Sequence, residues 1–380
     1  MKKFLKVTAI IIALIIALAY AFGYDYLFSG ITKTYLRGET SATITDGPLF
    51  SSHEIPTGNK KPWVLAENYN KTRLPKDLVQ DLTQTKTAAF VVIQNGKLVH
   101  EEYWDGFSKT SQTNSFSMAK SVTALLMGAA IDDGKIKSEN QLFSNFFSDY
   151  ANKENGNTLT LKNLTTMEAG LDWNESYYNP FAPNAKAYYG NSLGKAIFPI
   201  GFKDKPGTKF EYQSGATQLL GFAIREAVGQ PLASYASKKL WIPLGMEQNA
   251  YWSTDYNGME KSFCCIHSNA RDFAKLGQMM LNGGQVDSIQ IINKAYLDRM
   301  ITPTKESNGA YGYGTWINQD AKYKHYYFWG ILGQYTIVVP EKNLVIVRLG
   351  SNENIVSDTK GRPTQVDFIV NQIVDSYLKN

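Results

Sequence analysis

Residues 117–134 read SMAKSVTALLMGAAIDDG, and this stretch carries most of the information about the fold. Apolar side chains recur at helical spacing at Met118, Val122, Leu125 and Ala129, which predicts a helix with one buried face. Gly134 is a typical helix stop, so the spacing predicts a helix that begins near Ser117. Ser117 and Lys120 are three residues apart and share one helix face, where the helix dipole favours an oxyanion. The stretch therefore predicts a nucleophile beside an amine.

The spacing S-x-x-K alone is weak evidence, because it also occurs at Ser192–Lys195 and Ser357–Lys360. Those copies lie in Gly-rich or polar segments and have no periodic apolar run behind them. A serine that opens a helix also has a purely structural role as an N-cap. Further motifs are needed to favour catalysis at Ser117.

Two later motifs supply that support. Residues 206–215, PGTKFEYQSG, form a predicted turn and short extended piece that place Tyr212 just before a helix. Residues 328–334, FWGILGQ, lie between two predicted strands, and glycine there permits close backbone approach. A strand edge beside a nucleophile can donate a backbone N–H to an oxyanion. Three such motifs in this order favour acyl-transfer chemistry.

The pattern along the chain predicts an α+β fold. The runs 88–93 and 97–104 flank Asn95-Gly96, a strong hairpin signal. Further predicted elements are helices at 215–228, 269–281 and 366–378 and strands at 325–329, 335–339 and 344–349. We therefore expect a hydrolase domain at 86–380, in which both ends (86–116 and 301–380) build one antiparallel sheet flanked by helices. A mostly helical region, 117–300, is inserted, and 25–85 is an irregular lead-in that wraps the domain.

The amino terminus predicts export. Lys2, Lys3 and Lys6 precede an uncharged apolar run, residues 7–24, whose length falls between a signal-peptide core and a full membrane span. Residues 17–19 and 19–21 both offer a small-x-small cleavage site, so residues 1–24 are either a signal anchor or a signal peptide. In both cases the body is expected on the periplasmic or extracytoplasmic side. If uncleaved, residues 7–24 hold it to the cytoplasmic membrane.

Composition narrows the set of ligands. The net charge of +5 is spread over 39 basic and 34 acidic residues without a like-charge cluster, which argues against a nucleic-acid partner. The four histidines lack metal-ligand spacing, and we expect neither a metal nor a cofactor. Adjacent cysteines have Cα atoms about 3.8 Å apart, below the usual disulfide range of about 4.4–6.8 Å. Cys264 and Cys265 are therefore expected to be small core residues, with a vicinal disulfide as the alternative.

Together, Ser117–Lys120, Tyr212–Ser214 and Trp329–Ile331 resemble the three motifs of the penicillin-recognising serine hydrolases of the class C β-lactamase type. Within that superfamily the chain is most similar to the 6-aminohexanoate-dimer hydrolases and related carboxylesterases, whose substrate loop resembles residues 170–177, GLDWNESY. The resemblance implies a β-lactamase/transpeptidase-like fold and an acyl-enzyme on Ser117, assisted by Lys120 and Tyr212.

The resemblance also implies roles around the nucleophile. The N–H groups of Ser117 and Ile331 would form the oxyanion hole. Substrate-binding positions would be Tyr177, or alternatively Tyr178, together with Ser214, Trp329 and Gly330. Sequence leaves open whether Lys120 or Tyr212 is the general base, since both are poor bases at their ordinary pKa values.

Two departures from the superfamily pattern bear on the substrate. Trp329 stands where β-lactamases and peptidases carry a lysine that helps recognise a carboxylate, and Ser214 stands where classical β-lactamases carry asparagine. Both changes favour hydrolysis of a small-molecule ester or amide. The alternatives are a D-alanyl-D-alanine carboxypeptidase or class C-like β-lactamase, and a non-catalytic module that binds the cell wall.

Overall fold

A computed structural model describes residues 1–352 and 356–378. Its helices are α1 (Lys2–Ala21), α2 (Tyr26–Lys33), α3 (Lys76–Gln84), α4 (Met118–Asp132), α5 (Leu161–Thr165), α6 (Pro183–Tyr189), α7 (Leu193–Ile197), α8 (Ser214–Val228), α9 (Leu232–Ala236), α10 (Ala270–Leu281), α11 (Lys294–Met300) and α12 (Thr364–Gln372). Its strands are β1 (Ser52–Ile55), β2 (Thr87–Gln94), β3 (Lys97–Tyr103), β4 (Thr113–Asn114), β5 (Ala250–Ser253), β6 (Ile266–Ser268), β7 (Gln285–Val286), β8 (Ile289–Gln290), β9 (Trp316–Asn318), β10 (His325–Gly330), β11 (Gln334–Val339) and β12 (Leu344–Gly350).

The main sheet is antiparallel and joins both ends of the domain in the order β3-β2-β12-β11-β10-β9. The β2–β3 turn is the predicted hairpin, with positive φ angles of 51° at Asn95 and 72° at Gly96. Helix α10 covers one face, where Gly277 approaches Val345 and Thr336. Helix α12 packs against β11, where Tyr335 on the sheet is hydrogen-bonded to Gln365. The predicted α+β architecture is confirmed.

Helix α4 begins where the main sheet meets the helical region. The expected single buried face was wrong, because every residue from Met118 to Ala130 is buried. Strands β10 and β11 contact one part of the helix, while α8 and α11 contact others. Small side chains such as Ala119 and Ala124 permit this close packing on several sides. The first turn of α4, where Ser117 and Lys120 lie, is therefore kept in place by core packing around the helix.

The lead-in is more regular than its sequence indicated. Residues 25–85 contain α2, β1 and α3, and β1 pairs with β5 in a second sheet of order β1-β5-β6-β4. The expectation of an irregular segment was wrong because a short strand gains its stability from the partner strand, which lies almost 200 residues away. The same sheet places β5 and β6 inside the region expected to be mostly helical.

Cys264 and Cys265 form a vicinal disulfide. Both residues are buried, as expected, but the prediction of two unbonded core residues was wrong. Cys265 has a positive φ of 75°, a backbone geometry that cannot be read from cysteine spacing. The carbonyl oxygen of the preceding residue, Phe263, points to the side chain of Lys120. The bonded pair thus adjoins the candidate active site.

Helix α1 contains no buried residue and is long and apolar enough to cross a membrane. A signal sequence has the same properties, so length and composition do not separate an anchor from a cleaved segment.

Candidate active site

Ser117 lies at the turn from β4 into α4. The preceding residue, Phe116, has a positive φ of 42°, and its N–H donates to Asn114 Oδ1 at 2.9 Å. Such a conformation is rare for a bulky residue and is kept only where its surroundings fix it. Phe116 is buried with Ile44 and Ala88, whereas Ser117 remains partly accessible. This turn therefore presents the Ser117 hydroxyl from a rigid backbone.

Lys120 contacts the hydroxyl directly. Its Nζ lies 2.8 Å from Ser117 Oγ and donates to the Phe263 carbonyl oxygen at 2.9 Å. Burial lowers the pKa of the Lys120 amine to about 8, while the negative charge of Glu175 acts in the opposite direction. An amine with this pKa is partly neutral near physiological pH, so it can accept a proton from Ser117.

Tyr212 completes the predicted trio. Its ring centroid lies 4.9 Å from Lys120 Nζ, and its hydroxyl interacts with the Ser117 side chain. Burial raises the pKa of the Tyr212 phenol well above its usual value, more than the Ser117 interaction lowers it. The phenol therefore keeps its proton under conditions where the Lys120 amine loses one. This difference favours Lys120 as the proton acceptor and Tyr212 as an O–H donor.

The end of β10 lies against the backbone of the Ser117 turn. A Cβ atom added to Gly330 would stand 2.2 Å from Ser115 O and 3.1 Å from Ser117 N, so only glycine permits this approach. Ile331 follows immediately, as the predicted oxyanion hole requires. Within residues 1–352 and 356–378, neither the Ser117 N–H nor the Ile331 N–H donates to a protein acceptor.

Glu175 is a functional candidate that the sequence reasoning missed. Its carboxylate accepts five hydrogen bonds, from Ser214 N (2.7 Å), Ser214 Oγ (2.7 Å), Trp173 Nε1 (2.6 Å), Tyr177 OH (2.8 Å) and Asn184 Nδ2 (2.9 Å). This charge connects the substrate loop to the first turn of α8 and acts on the amine of Lys120. The sequence offered one signal for Glu175, its position within residues 170–177, which resemble the substrate loop of the 6-aminohexanoate-dimer hydrolases. The hydrogen-bond donors around it come together only in the folded chain.

Ser214, predicted to bind substrate, is buried and donates its hydroxyl to Glu175. In this geometry it orients the carboxylate, and a direct contact with substrate stays a prediction.

The structure distinguishes the two loop tyrosines. The Tyr177 ring is 45% exposed, but its hydroxyl is enclosed between Glu175 and Ser117. Burial raises the pKa of this phenol, and the Glu175 charge adds to the effect. Tyr178 is 86% exposed. The Tyr177 hydroxyl therefore contacts the Ser117 side chain, and its role as the tyrosine that covers substrate stays a prediction.

Aromatic rings also pack beside Tyr212. Trp329, at the predicted third motif, packs edge-on against Trp316 at 5.1 Å, and Trp316 packs against Tyr212 at 5.6 Å. Beside Tyr212 opens a cavity of about 430 Å³, whose lining residues are Asp172, Trp173, Asn174, Glu175, Lys203, Glu211 and Tyr212. In the described part of the chain, no group of three His, Cys, Asp or Glu side chains is placed to hold a metal ion.

A model of the family described as Beta-lactamase matches residues 76–369. The chain belongs to this family. It has the family's α+β fold. The 6-aminohexanoate-dimer hydrolase of Paenarthrobacter ureafaciens is 27% identical over 240 residues, a match that covers 60% of the chain and 60% of the relative.

Solved structures show the same fold. A structure named "Putative 6-aminohexanoate-dimer hydrolase from Bacillus anthracis" superposes with a TM-score of 0.73 at 21% identity, covering 87% of the chain and 92% of that protein. A family VIII carboxylesterase superposes with a TM-score of 0.62 at 17% identity, covering 83% of the chain and 99% of that protein.

Proposed function

We propose that this chain is an exported serine hydrolase that cleaves an ester or amide bond through an acyl-enzyme on Ser117. The observation that carries the proposal is the 2.8 Å contact between Ser117 Oγ and Lys120 Nζ, whose pKa burial lowers to about 8. A serine hydroxyl is a weak nucleophile unless a base within hydrogen-bond reach accepts its proton. Lys120 meets both conditions, distance and pKa.

The first half-reaction gives each group one role. Ser117 Oγ attacks the carbonyl carbon while its proton passes to Lys120 Nζ. The carbonyl oxygen becomes an oxyanion and accepts hydrogen bonds from the N–H groups of Ser117 and Ile331, an interaction that typically contributes about 2.7–4 kcal/mol per donor.

Collapse of the tetrahedral adduct breaks the bond to the leaving group. The leaving oxygen or nitrogen takes a proton from the Tyr212 hydroxyl, and the Lys120 ammonium returns a proton to the phenol. Water then attacks the acyl-enzyme with the same groups in reverse, which releases the acid and restores Ser117.

The third motif supports an ester or amide substrate without an essential carboxylate. At the position of the lysine in β-lactamases and peptidases lies Trp329, which joins Trp316 and Tyr212 in an aromatic wall. Such a wall contacts apolar substrate groups and offers no cation to a carboxylate. The names of the 6-aminohexanoate-dimer hydrolase and of the carboxylesterase of the same fold support hydrolysis of an amide or ester bond.

Helix α1 is proposed to remain as a membrane anchor, with the body on the extracytoplasmic side. Lys2, Lys3 and Lys6 precede or open the apolar part of α1, which favours a cytoplasmic amino terminus. The residues after α1 are packed on the body, since Tyr26 is buried and its hydroxyl donates to Pro180 O at 3.0 Å. Mass spectrometry of the membrane fraction tests this: retained residues 1–24 support the anchor, and their loss contradicts it.

The test of the chemistry is Ser117→Ala with p-nitrophenyl butyrate as substrate. Hydrolysis is expected to fall to background while the unfolding midpoint is retained, because the side chain is partly exposed at a helix start. Ser192→Ala is the matched control, since Ser192 also begins an S-x-x-K sequence but caps α7. Turnover by Ser117→Ala would contradict the nucleophile. Rapid nitrocefin turnover with little esterase activity would contradict the substrate class.

A further inference from the structure

The loop that covers the nucleophile also contacts the base of the apolar helix. Tyr24, three residues beyond α1, packs edge-on against Phe181 with ring centroids 6.0 Å apart. The neighbouring Tyr26 hydroxyl donates to Pro180 O at 3.0 Å, and Asn191 Nδ2 donates to Asp25 Oδ2 at 3.0 Å. These contacts hold residues 180–191, which follow the substrate loop, against the end of α1.

Exposed aromatic residues occur on both of the chain segments that meet at this junction. Phe22 is 72% exposed, Tyr24 44%, Tyr178 86% and Phe181 66%. We call these four residues the anchor face. Large aromatic side chains are costly to leave in water, whereas Tyr and Trp collect at the interface of membranes, where an amphipathic ring meets the head groups. The anchor face continues directly from the apolar surface of α1.

Dimensions place the anchor face at the depth of the head groups. A helix of 20 residues is about 30 Å long, which equals the thickness of the hydrocarbon core. Tyr24 can be at most about 10 Å beyond Ala21, a distance comparable with the head-group layer of about 5–8 Å. Phe181 touches Tyr24 and therefore lies at or beside the same layer.

The same loop reaches the nucleophile within four residues. Phe181 belongs to the anchor face, and Tyr177 interacts with the Ser117 hydroxyl. Four residues span at most about 14 Å, so the mouth of the site lies close to the surface in which α1 is embedded. Trp316 packs on Tyr212 and Trp329 packs on Trp316, and aromatic rings of this kind suit an apolar chain.

We infer that the anchor face contacts the lipid surface and that the enzyme hydrolyses acyl esters or amides of amphiphiles held in that bilayer. The inference rests on the proposed ester or amide hydrolysis and on the retained anchor. The substrate loop then has two roles, because Tyr177 covers the reacting group while Tyr178 and Phe181 hold the mouth of the site against the head groups.

Site-specific labelling tests the surface without using activity. Cys264 and Cys265 are bonded to each other and buried, so a cysteine introduced at Phe181 is labelled alone with the fluorophore nitrobenzoxadiazole. In the full chain, reconstituted in vesicles of phosphatidylethanolamine and phosphatidylglycerol, Phe181→Cys should show a blue-shifted emission that spin-labelled lipids quench. Ile289→Cys is the matched control, because Ile289 is 65% exposed in the β7–β8 hairpin.

Equal quenching at the two positions, or none at Phe181, would overturn the lipid-contact assignment. A blue shift without quenching by lipid would mean that protein covers the face, which also contradicts the inference.

Two substrates test the choice of amphiphile. Phe181→Ser should lower kcat/KM for p-nitrophenyl palmitate in the vesicles by about tenfold or more, because an interfacial aromatic ring is removed. Hydrolysis of soluble p-nitrophenyl butyrate should change less than about twofold, since Phe181 packs on Tyr24 and is not among the groups placed at the nucleophile. Ile289→Ser should leave both values unchanged.

Equal losses on the two esters, or no loss on either, would overturn the assignment of membrane amphiphiles. Failure of the wild-type chain to hydrolyse any ester or amide, with Phe181→Cys still quenched by lipid, would refute the proposed function while retaining the lipid-contacting face.

Discussion

Glu175→Gln removes the negative charge of this side chain but nearly retains its size, so it tests the effect of the charge on the candidate active site. The carboxylate accepts two bonds from Ser214 and one from Tyr177, and these tie α8 to the loop over Ser117. Glutamine has nearly the same size and keeps one acceptor oxygen. Asn184 Oδ1 is buried without a partner in the described structure, so a flipped Asn184 amide can accept from the new NH₂ group. The fold should therefore tolerate the change.

The expected loss in kcat/KM follows from the hydrogen bond between Tyr177 and Glu175, because Tyr177 also contacts Ser117. A hydrogen bond to a charged group contributes about 1.5–3 kcal/mol. If the Tyr177–Glu175 bond loses this charge assistance, kcat/KM should fall roughly 10- to 150-fold, since about 1.36 kcal/mol corresponds to a factor of ten. The loss should occur with the unfolding midpoint close to that of the wild type.

The pH dependence gives the sharper readout. The Glu175 charge raises the pKa of the Lys120 amine, which burial brings down to about 8. Removing that charge must lower the Lys120 pKa further, so the amine becomes neutral at a lower pH. The acid limb of the kcat/KM profile, which reports groups of the free enzyme, should shift to lower pH even as the plateau falls.

The assay is the pH profile of kcat/KM for p-nitrophenyl butyrate. Asp172→Asn is the matched control, because Asp172 is an exposed carboxylate on the same loop and lines the same cavity. An unshifted acid limb in Glu175→Gln, or an equal shift in Asp172→Asn, would refute an electrostatic action of Glu175 on Lys120.

Three further variants test the geometry of the site. Gly330→Ala should lower kcat by about 10²–10³, because its Cβ meets Ser115 O at 2.2 Å and forces the oxyanion donors apart; a kcat within about threefold of wild type would contradict this. Tyr212→Phe should lower kcat by about 10²–10⁴ as the general acid is lost, with an unmoved acid limb in the pH profile; a displaced limb would instead make Tyr212 the base. Lys120→Met should be more stable than wild type, and this stability difference should decrease by about 3 kcal/mol between pH 8 and 10.5. In that pH window the unfolded wild-type chain still binds a proton at Lys120, whereas the folded amine, with its pKa lowered to about 8, has lost it. The wild type therefore gains stability as the pH rises. Denaturation at several pH values measures that difference, and a constant difference would mean that Lys120 titrates normally in the folded protein.

Elements with a strong local signal could be predicted from sequence. The Asn95-Gly96 hairpin requires positive φ angles that these residues adopt readily, and the structure has them there. The late strands and helix α10 were predicted within one or two residues, because their apolar periodicity is local. Strand β1 was missed, since its pairing partner lies far along the chain and nothing in residues 52–55 signals it.

In the candidate site, too, some features could be predicted from sequence and others could not. The sequence determined the residue types and their order: Ser117 and Lys120 on one helix turn, Tyr212 before a second helix, and Gly330 at a strand end. Only the tertiary structure favours one of these groups, Lys120, as the proton acceptor. The pKa of an amine or a phenol depends on burial and nearby charge, and both are set by packing.

The tertiary structure also decided what surrounds the nucleophile. Glu175 acquires five donors from four residues, one of which, Ser214, lies 39 positions from it along the chain. Cys265, the second residue of the vicinal disulfide, has a left-handed φ of 75°. Local sequence fixes periodicity and turn chemistry, whereas desolvation, hydrogen-bond partners and the position of the loop against α1 arise only when distant segments pack together.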